Sequence, residues 1–250
     1  MTIEQSSRVV GDGSDGIQVA GATDRGTVRE QNQDAWEALP RPAGGYSLLL
    51  ADGMGGHPGG RESAQAAIEA ARARLTEPGA ADPILTMAMH DANAAVAGVR
   101  DLIGGDPGTT LVLAVLADGH AVVANIGDSR AYLIRDRRAI QITSDHSWVG
   151  DQVREGNLDP ASARHHPRRN VITRAVMGDP VEPDLFPVTL QYGDTLLLCS
   201  DGIWEPLSDD MLAELVTDAG PLVRDLERLC DAALDAGGRD NVTAVAARLT

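Results

Sequence analysis

The chain has 250 residues, 43% of them hydrophobic and only 3% aromatic, and carries a formal net charge of −16 at pH 7. Its apolar content supports a sizeable core of Leu, Val, Ile and Ala, and the length suits a single layered sheet domain. The acidity repels a phosphate backbone and argues against nucleic acid, the absence of lysine removes Walker P-loop and Schiff-base chemistry, and no apolar run reaches the roughly 20 residues that span a bilayer.

Residues 1–15, around GDGSDG, are small and polar and predict a flexible lead-in; they lack the ligand spacing of a calcium loop. The same stretch lacks the basic and apolar regions of a signal peptide, so a cytoplasmic location is expected. Apolar runs at residues 46–51, 110–117, 121–126, 130–135, 195–199 and 242–248 predict strands, and Asp118-Gly119 predicts a hairpin turn between two of them. Helical periodicity appears at Ala64, Ala67, Ile68, Ala71 and Leu75, then at Ile84, Ala88, Ala92, Ala95 and Val99. A third stripe is Leu222, Leu226, Leu229, Cys230 and Ala233, and Ser208 before Asp209 and Asp210 marks another helix start. Cys199 and Cys230 sit in apolar surroundings and read as core thiols. Strands joined by tight turns, with helices arriving in pairs, predict an α+β fold of antiparallel sheets covered by helices. Residues 145–180 are polar, proline-bearing and without period, which predicts a functional flap.

Three predicted strands run into an aspartate beside a glycine: YSLLLA into Asp52-Gly53, AVVANI into Gly127-Asp128, and TLLLCS into Asp201-Gly202. Asp240-Asn241 precedes the last strand. One such pair alone is an ordinary turn. Several carboxylates gathered at one sheet end would repel one another and hold their pKa values up unless divalent cations neutralised them. A set of hard oxygen ligands without histidine or thiolate selects magnesium or manganese over zinc, and two such ions can activate a shared water for attack on phosphorus.

In order, the motifs are TDRGTVREQNQD (residues 23–34), ADGMGGH (51–57), GTT (108–110), NIGDSRAYLI (125–134), TSDHS (143–147), NVITRAVMG (170–178), LLLCSDGIWE (197–205) and RDNVTA (239–244). The series resembles the metal-dependent serine/threonine protein phosphatase family of type 2C, in its bacterial form, over nearly everything after residue 16. The resemblance implies a four-layer α-β-β-α sandwich, two antiparallel sheets face to face with helix pairs outside, forming one catalytic domain over residues 16–250. It implies two tightly bound Mn2+ or Mg2+ ions: Asp52 bridging both, the Gly53 carbonyl completing the second site, Asp201 and Asp240 holding the first, and Asp34 acting through water. Asp128 matches the family's ligand for a third, weaker ion shared with Asp201. Arg29, five residues before Asp34, matches the arginine that grips the substrate phosphate, a task suited to its planar donor fork.

His57 follows the DGMGG turn and is a candidate to protonate the leaving oxygen. Animal members carry their candidate acid directly after Asp-Gly, where this chain has Met54, so alignment does not transfer the role. Gln33 stands where the family often has an acidic residue. His146 is expected to organise the start of the flap, and His90 and His120 read as surface or turn residues. The flap also holds Arg164, His165, His166, Arg168, Arg169 and Arg174, which either steer a phosphopeptide or form a solvated loop. A cysteine-dependent phosphatase needs an arginine six residues after its nucleophile, but Glu205 and Ala236 stand there. The reading is therefore hydrolysis of phosphoserine and phosphothreonine in proteins phosphorylated by bacterial serine/threonine kinases, with neither nucleic acid nor membrane as partner. Its rivals are another metal-dependent hydrolase, such as a nucleotidase or nuclease, and a weakly active relative serving as a phosphopeptide-binding regulatory module, to which Gln33 points.

Overall fold

A computed structural model describes residues 5–54, 59–217 and 220–250, and in it the apolar runs become strands buried on both faces. In chain order the strands are β1 (Gln5–Asp12), β2 (Ile17–Asp24), β3 (Asp34–Pro40), β4 (Tyr46–Asp52), β5 (Leu111–Ala117), β6 (His120–Ile126), β7 (Arg130–Arg135), β8 (Arg138–Gln141), β9 (Asp184–Thr189), β10 (Thr195–Cys199) and β11 (Val242–Leu249). The helices are α1 (Gly60–Leu75), α2 (Ala81–Ile103), α3 (Trp148–Arg154), α4 (Pro160–Ala163), α5 (Asp201–Trp204), α6 (Asp209–Leu215) and α7 (Leu222–Asp235). Six strands form one antiparallel sheet in the order β1-β2-β11-β10-β7-β8, and five form another in the order β3-β4-β5-β6-β9.

The period of two along a strand distributes side chains among the layers. Leu48 and Leu50 of β4 meet Leu196 and Leu198 of β10 and Val245 of β11 in a core between the sheets. Leu49 and Ala51 point the other way, beneath Ala64, Ala67 and Ala71 of α1 and Ile84, Ala88 and Ala92 of α2. On the opposite side Leu197, Cys199, Ala244 and Ala246 lie under Leu226, Leu229 and Cys230 of α7, with Ile203 of α5 and Leu212 of α6. Four layers result, and strands covered on both faces read as unbroken apolar runs.

Several expectations hold in detail. Asp118 and Gly119 take positive φ of 52° and 73°, as a two-residue hairpin turn of primed type requires. Ser208 caps α6, its hydroxyl accepting from the Met211 N–H at 3.3 Å. Others need correction. Residues 5–12, expected within a flexible lead-in, form the edge strand β1, because β2 offers its free edge to pair with. The buried stripe of α2 continues through Met89 and Val96, not Ala95 and Val99, since packing follows four-residue steps. The flap carries two short helices, α3 and α4, capped by the side chains of Ser147 and Asp159. No helix among the described residues is long and apolar enough to cross a membrane.

One polar contact ties α7 to the six-stranded sheet. Arg248 of β11 and Asp225 of α7 are each 2% exposed, and the arginine's Nη2 donates to Asp225 Oδ2 at 2.5 Å. Asp225 also accepts from Arg228 at 2.6 Å and from the Thr217 N–H at 3.1 Å. Removing the carboxylate strands a buried guanidinium, so Asp225→Leu should cost about 3–5 kcal/mol of stability in urea unfolding. The double variant Asp225→Leu/Arg248→Met should recover most of that loss; a double variant as unstable as the single one would contradict this account.

Candidate functional site

The acidic residues singled out in the sequence come from different strands and collect at one end of the sandwich. Asp34 opens β3 and Asp52 closes β4, and the two are partners in the β3–β4 register. The β4 end is pinned by Thr109 and Thr110: the Thr109 hydroxyl donates to the Asp52 carbonyl at 2.8 Å, and the Asp52 N–H donates to Thr110 Oγ1 at 3.1 Å. From the other sheet, Ser200 caps the end of β10, its hydroxyl accepting from the Thr243 N–H at 3.1 Å and donating to Asp34 Oδ2 at 2.8 Å. That hydroxyl joins the two sheets at the site. Asp201 follows directly on α5, and Asp240 lies just before β11.

The glycines beside the aspartates are required by close approach. A Cβ on Gly202 would lie 2.0 Å from the Asn241 carbonyl oxygen, and one on Gly53 would lie 2.4 Å from that of Gly60 and 2.6 Å from that of Gln33. Only glycine lets α5 settle on the β11 approach and the β4 end settle against α1. Asn241 is the further clamp: its Oδ1 accepts from the Gln33 N–H at 2.9 Å, while its Nδ2 donates to the carbonyls of Arg25 and Gln31.

Burial is the main cause of the electrostatic strain. It raises the Asp34 carboxyl to about 6, with Asp240 adding to the rise and the Thr243 and Ser200 hydroxyls opposing it. Burial also pushes Asp52 well above the usual carboxylate range, and the charges of Asp34, Asp201, Asp240 and Asp128 push it further. Asp201 is raised likewise by burial, then by Asp128, Asp240, Glu205 and Asp34. Asp128 rises to about 7, from burial and from Asp145. Each carboxylate thus feels the others across strands far apart in sequence.

Arg29 belongs to this site. Its Nη2 donates to Asp240 Oδ2 at 2.6 Å, both side chains being about one-third exposed. With side chains as they stand, no three His, Cys, Asp or Glu residues among those described converge tightly enough to hold an ion. Arg29 takes up one oxygen of Asp240 and Ser200 one of Asp34, so ligation would require the first of these contacts to exchange. In chemistry and charge the donors nevertheless fit a hard divalent cation: they are carboxylates, mostly half-buried and raised by one another. His57 lies outside the described residues, and the buried Gln33 packs its side-chain amide against the start of α1 at Gly60.

The flap's positive island is largely spent within the fold. Arg164 donates to Asp209 at 2.6 Å and to the carbonyls of Trp204 and Leu207, Arg169 pairs with Glu205 at 3.2 Å, and Arg174 donates to Asp184 at 2.7 Å. His146 organises the start of the flap, as expected. Its Nδ1 accepts from the Gly127 N–H at 3.0 Å, so its Nε2 carries the proton toward Asp184 at 3.1 Å, and burial lowers its pKa. The sequence reading missed Ser200, Glu205 and the buried pair of Arg130 and Asp145, joined by bonds of 2.9 and 2.6 Å. All four stand inside the quoted motifs, and Ser200 is directly beside Asp201, already singled out.

Fold and site together define an α-β-β-α sandwich with an acidic centre at one end of its paired sheets. The chain belongs to the protein phosphatase 2C family, whose pattern its residues 25–244 match. It is 41% identical over 239 residues to the serine/threonine protein phosphatase PstP of Mycobacterium tuberculosis, covering 92% of this chain and 45% of that protein. It is 35% identical over 235 residues to the protein phosphatase PhpP of Streptococcus pneumoniae, covering 91% of this chain and 95% of that one. The chain therefore spans about half the length of the first relative and nearly all of the second. A crystal structure of the PstP catalytic domain in complex with 2 manganese ions superposes with a TM-score of 0.81 at 36% identity, over 93% of this chain and 97% of that one.

The raised carboxylates set a pH dependence when divalent cations are chelated. Between about pH 4 and 7 the folded protein keeps protons on Asp34 and Asp128 that the unfolded chain has released, so stability falls as pH rises through this window. Each such proton weakens folding by up to about 1.4 kcal/mol per pH unit. Urea midpoints measured in chelator should decline from about pH 4.5 to about pH 7 and should flatten with excess manganese. A midpoint that rises across that window in chelator would contradict the electrostatic picture.

Proposed function

We propose that this chain is a metal-dependent protein phosphatase that hydrolyses phosphoserine and phosphothreonine monoesters in proteins, the substrates being products of bacterial serine/threonine kinases. The observation that carries the reading is the gathering of Asp34, Asp52, Asp128 and Asp201 at one end of the sheets, Asp128 buried and the others half-buried, each held above the usual carboxylate range, with Asp240 beside them. Family membership supports it, as does the manganese complex of the related PstP domain. In this reading Asp52, the Gly53 carbonyl, Asp201 and Asp240 hold two Mn2+ or Mg2+ ions, and Asp128 with Asp201 holds a third more weakly. Bound there, the ions supply the Lewis acidity that makes water a nucleophile near neutral pH and offset the negative charge of the cluster.

The chain's own groups do the remaining work. Asp34, held by the Ser200 hydroxyl, is placed to orient the attacking water. Arg29 lies against Asp240, so neutralising that carboxylate frees its guanidinium to take two phosphate oxygens. Water oxygen bonds to phosphorus as the bond to the serine or threonine oxygen breaks, and His57 is our candidate to give that oxygen its proton. Gln33 contributes its backbone to the frame, its N–H bound to Asn241 and its carbonyl accepting from the Gly53 N–H at 3.2 Å.

Hydrolysis of a phosphothreonine peptide should stop with a chelator and return on adding manganese or magnesium, with zinc a poor substitute. Asp201→Asn and Asp240→Asn should each lose more than the roughly 10–100-fold that removing an outer-shell partner costs. Full activity in either variant would refute the assignment of that residue. Retention of the peptide without release of phosphate, under every metal, would identify a regulatory binding module instead.

A further inference from the structure

Under the flap, beside the acidic centre and lined by none of its five aspartates, lies a cavity of about 430 Å3. Its size falls in the range of about 300–1,000 Å3 typical of small-molecule sites. One wall is apolar, made by Val149 and Val153 of α3, Ala163 of α4 and the Trp204 ring of α5. The polar side is set by guanidinium groups, whose donors can be accounted for one at a time. Arg130 spends two nitrogens on Asp145 and the third on the Tyr132 hydroxyl, and its Cζ lies 3.5 Å from the Trp204 ring centroid. Arg164 spends both terminal nitrogens on the Trp204 and Leu207 carbonyls and on Asp209, and Arg154 spends both of its own on the Asp145 carbonyl and on Asp151.

Arg169 differs. Only its Nε is engaged, with Glu205 at 3.2 Å, and among the described contacts neither terminal nitrogen has a partner. Its side chain is 41% exposed, so the free end of the fork is open to an incoming group. Asp145, Asp151, Asp209 and Glu205 pair with Arg130, Arg154, Arg164 and Arg169, so the cavity carries no excess positive charge to hold a dianion, and what it offers an incoming group is the unspent donors of the Arg169 fork. That excludes a phosphate dianion and favours a carboxylate or sulfonate attached to a flat apolar body, which the Trp204 wall accommodates.

We propose that this cavity is a binding site for a small organic monoanion with a flat apolar body, gripped by the terminal nitrogens of Arg169 and packed against Trp204, Val149 and Val153. The site is independent of the phosphatase reading, and its test reads binding without turnover. The probe is 8-anilinonaphthalene-1-sulfonate, whose fluorescence rises when its rings leave water; N-phenyl-1-naphthylamine is the matched neutral probe.

The sulfonate should bind saturably at one site per chain, and Arg169→Gln should weaken it about tenfold, the worth of one charge-assisted hydrogen-bonded contact. The same variant should leave the neutral probe's affinity unchanged. Ala163→Trp, which fills the apolar side, should remove binding of both, with far-ultraviolet circular dichroism confirming that the variant is folded. Sulfonate binding unaltered by Arg169→Gln, or equal losses for both probes in that variant, would overturn the proposal. So would the absence of saturable binding to the native chain.

Discussion

Carboxylates buried next to one another repel, and the fold has to hold that repulsion in place. Asp34, Asp52, Asp128 and Asp201 are each raised by burial and by neighbouring acids, and of the five aspartates at the site only Asp240 has a salt bridge, to Arg29, among the described residues. The two sheets are therefore joined at one end by groups that push apart. Neutral donors restrain them: the Ser200 hydroxyl on Asp34, the threonine pair on the Asp52 backbone, and Asn241 across Gln33, Arg25 and Gln31. Such donors fix position without cancelling charge, which leaves the charge available to cations.

The sandwich makes this affordable in energy because its cost is confined to one edge. Below the acidic end, the inter-sheet layer contains Leu48, Leu50, Val112, Leu196, Leu198 and Val245, all fully buried. Helix layers seal the outer faces, and the internal pairs of Asp225 with Arg248 and Asp145 with Arg130 are each satisfied by several hydrogen bonds. Balanced ion pairs hold the scaffold, while an unbalanced acidic group is kept for the site. The flap follows the same division, with Arg164, Arg169 and Arg174 each paired to a carboxylate and the terminal nitrogens of Arg169 left open.

Much of this was legible in the residues, and the reasons differ by element. Strands β4, β5, β7, β10 and β11 announced themselves because burial on both faces leaves them mostly apolar, with the few polar residues such as Thr243 and Arg248 taken up by internal hydrogen bonds. Strand β2, IQVAGATD, hid behind glycine and alanine, and β9 behind Pro187, which its edge position tolerates. The turn between β7 and β8 is made by Asp136 and Arg137 at φ of 49° and 58°, a conformation that the pair Asp-Arg does not advertise. At the site, the repeated Asp-Gly at strand ends pointed to Asp52 and Asp201 because glycine is forced there by close backbone approach. Ser200 and Asn241 gave no such sign, since their roles depend on pairings made across the gap between the sheets.

The most direct test of the central claim is anomalous diffraction at the manganese absorption edge from crystals of this chain equilibrated with manganese. Peaks should appear between the carboxylates of Asp52, Asp201 and Asp240, with Arg29 turned away from Asp240. Crystals grown in abundant manganese that show no peak there, and Arg29 still bound to Asp240, would contradict the account.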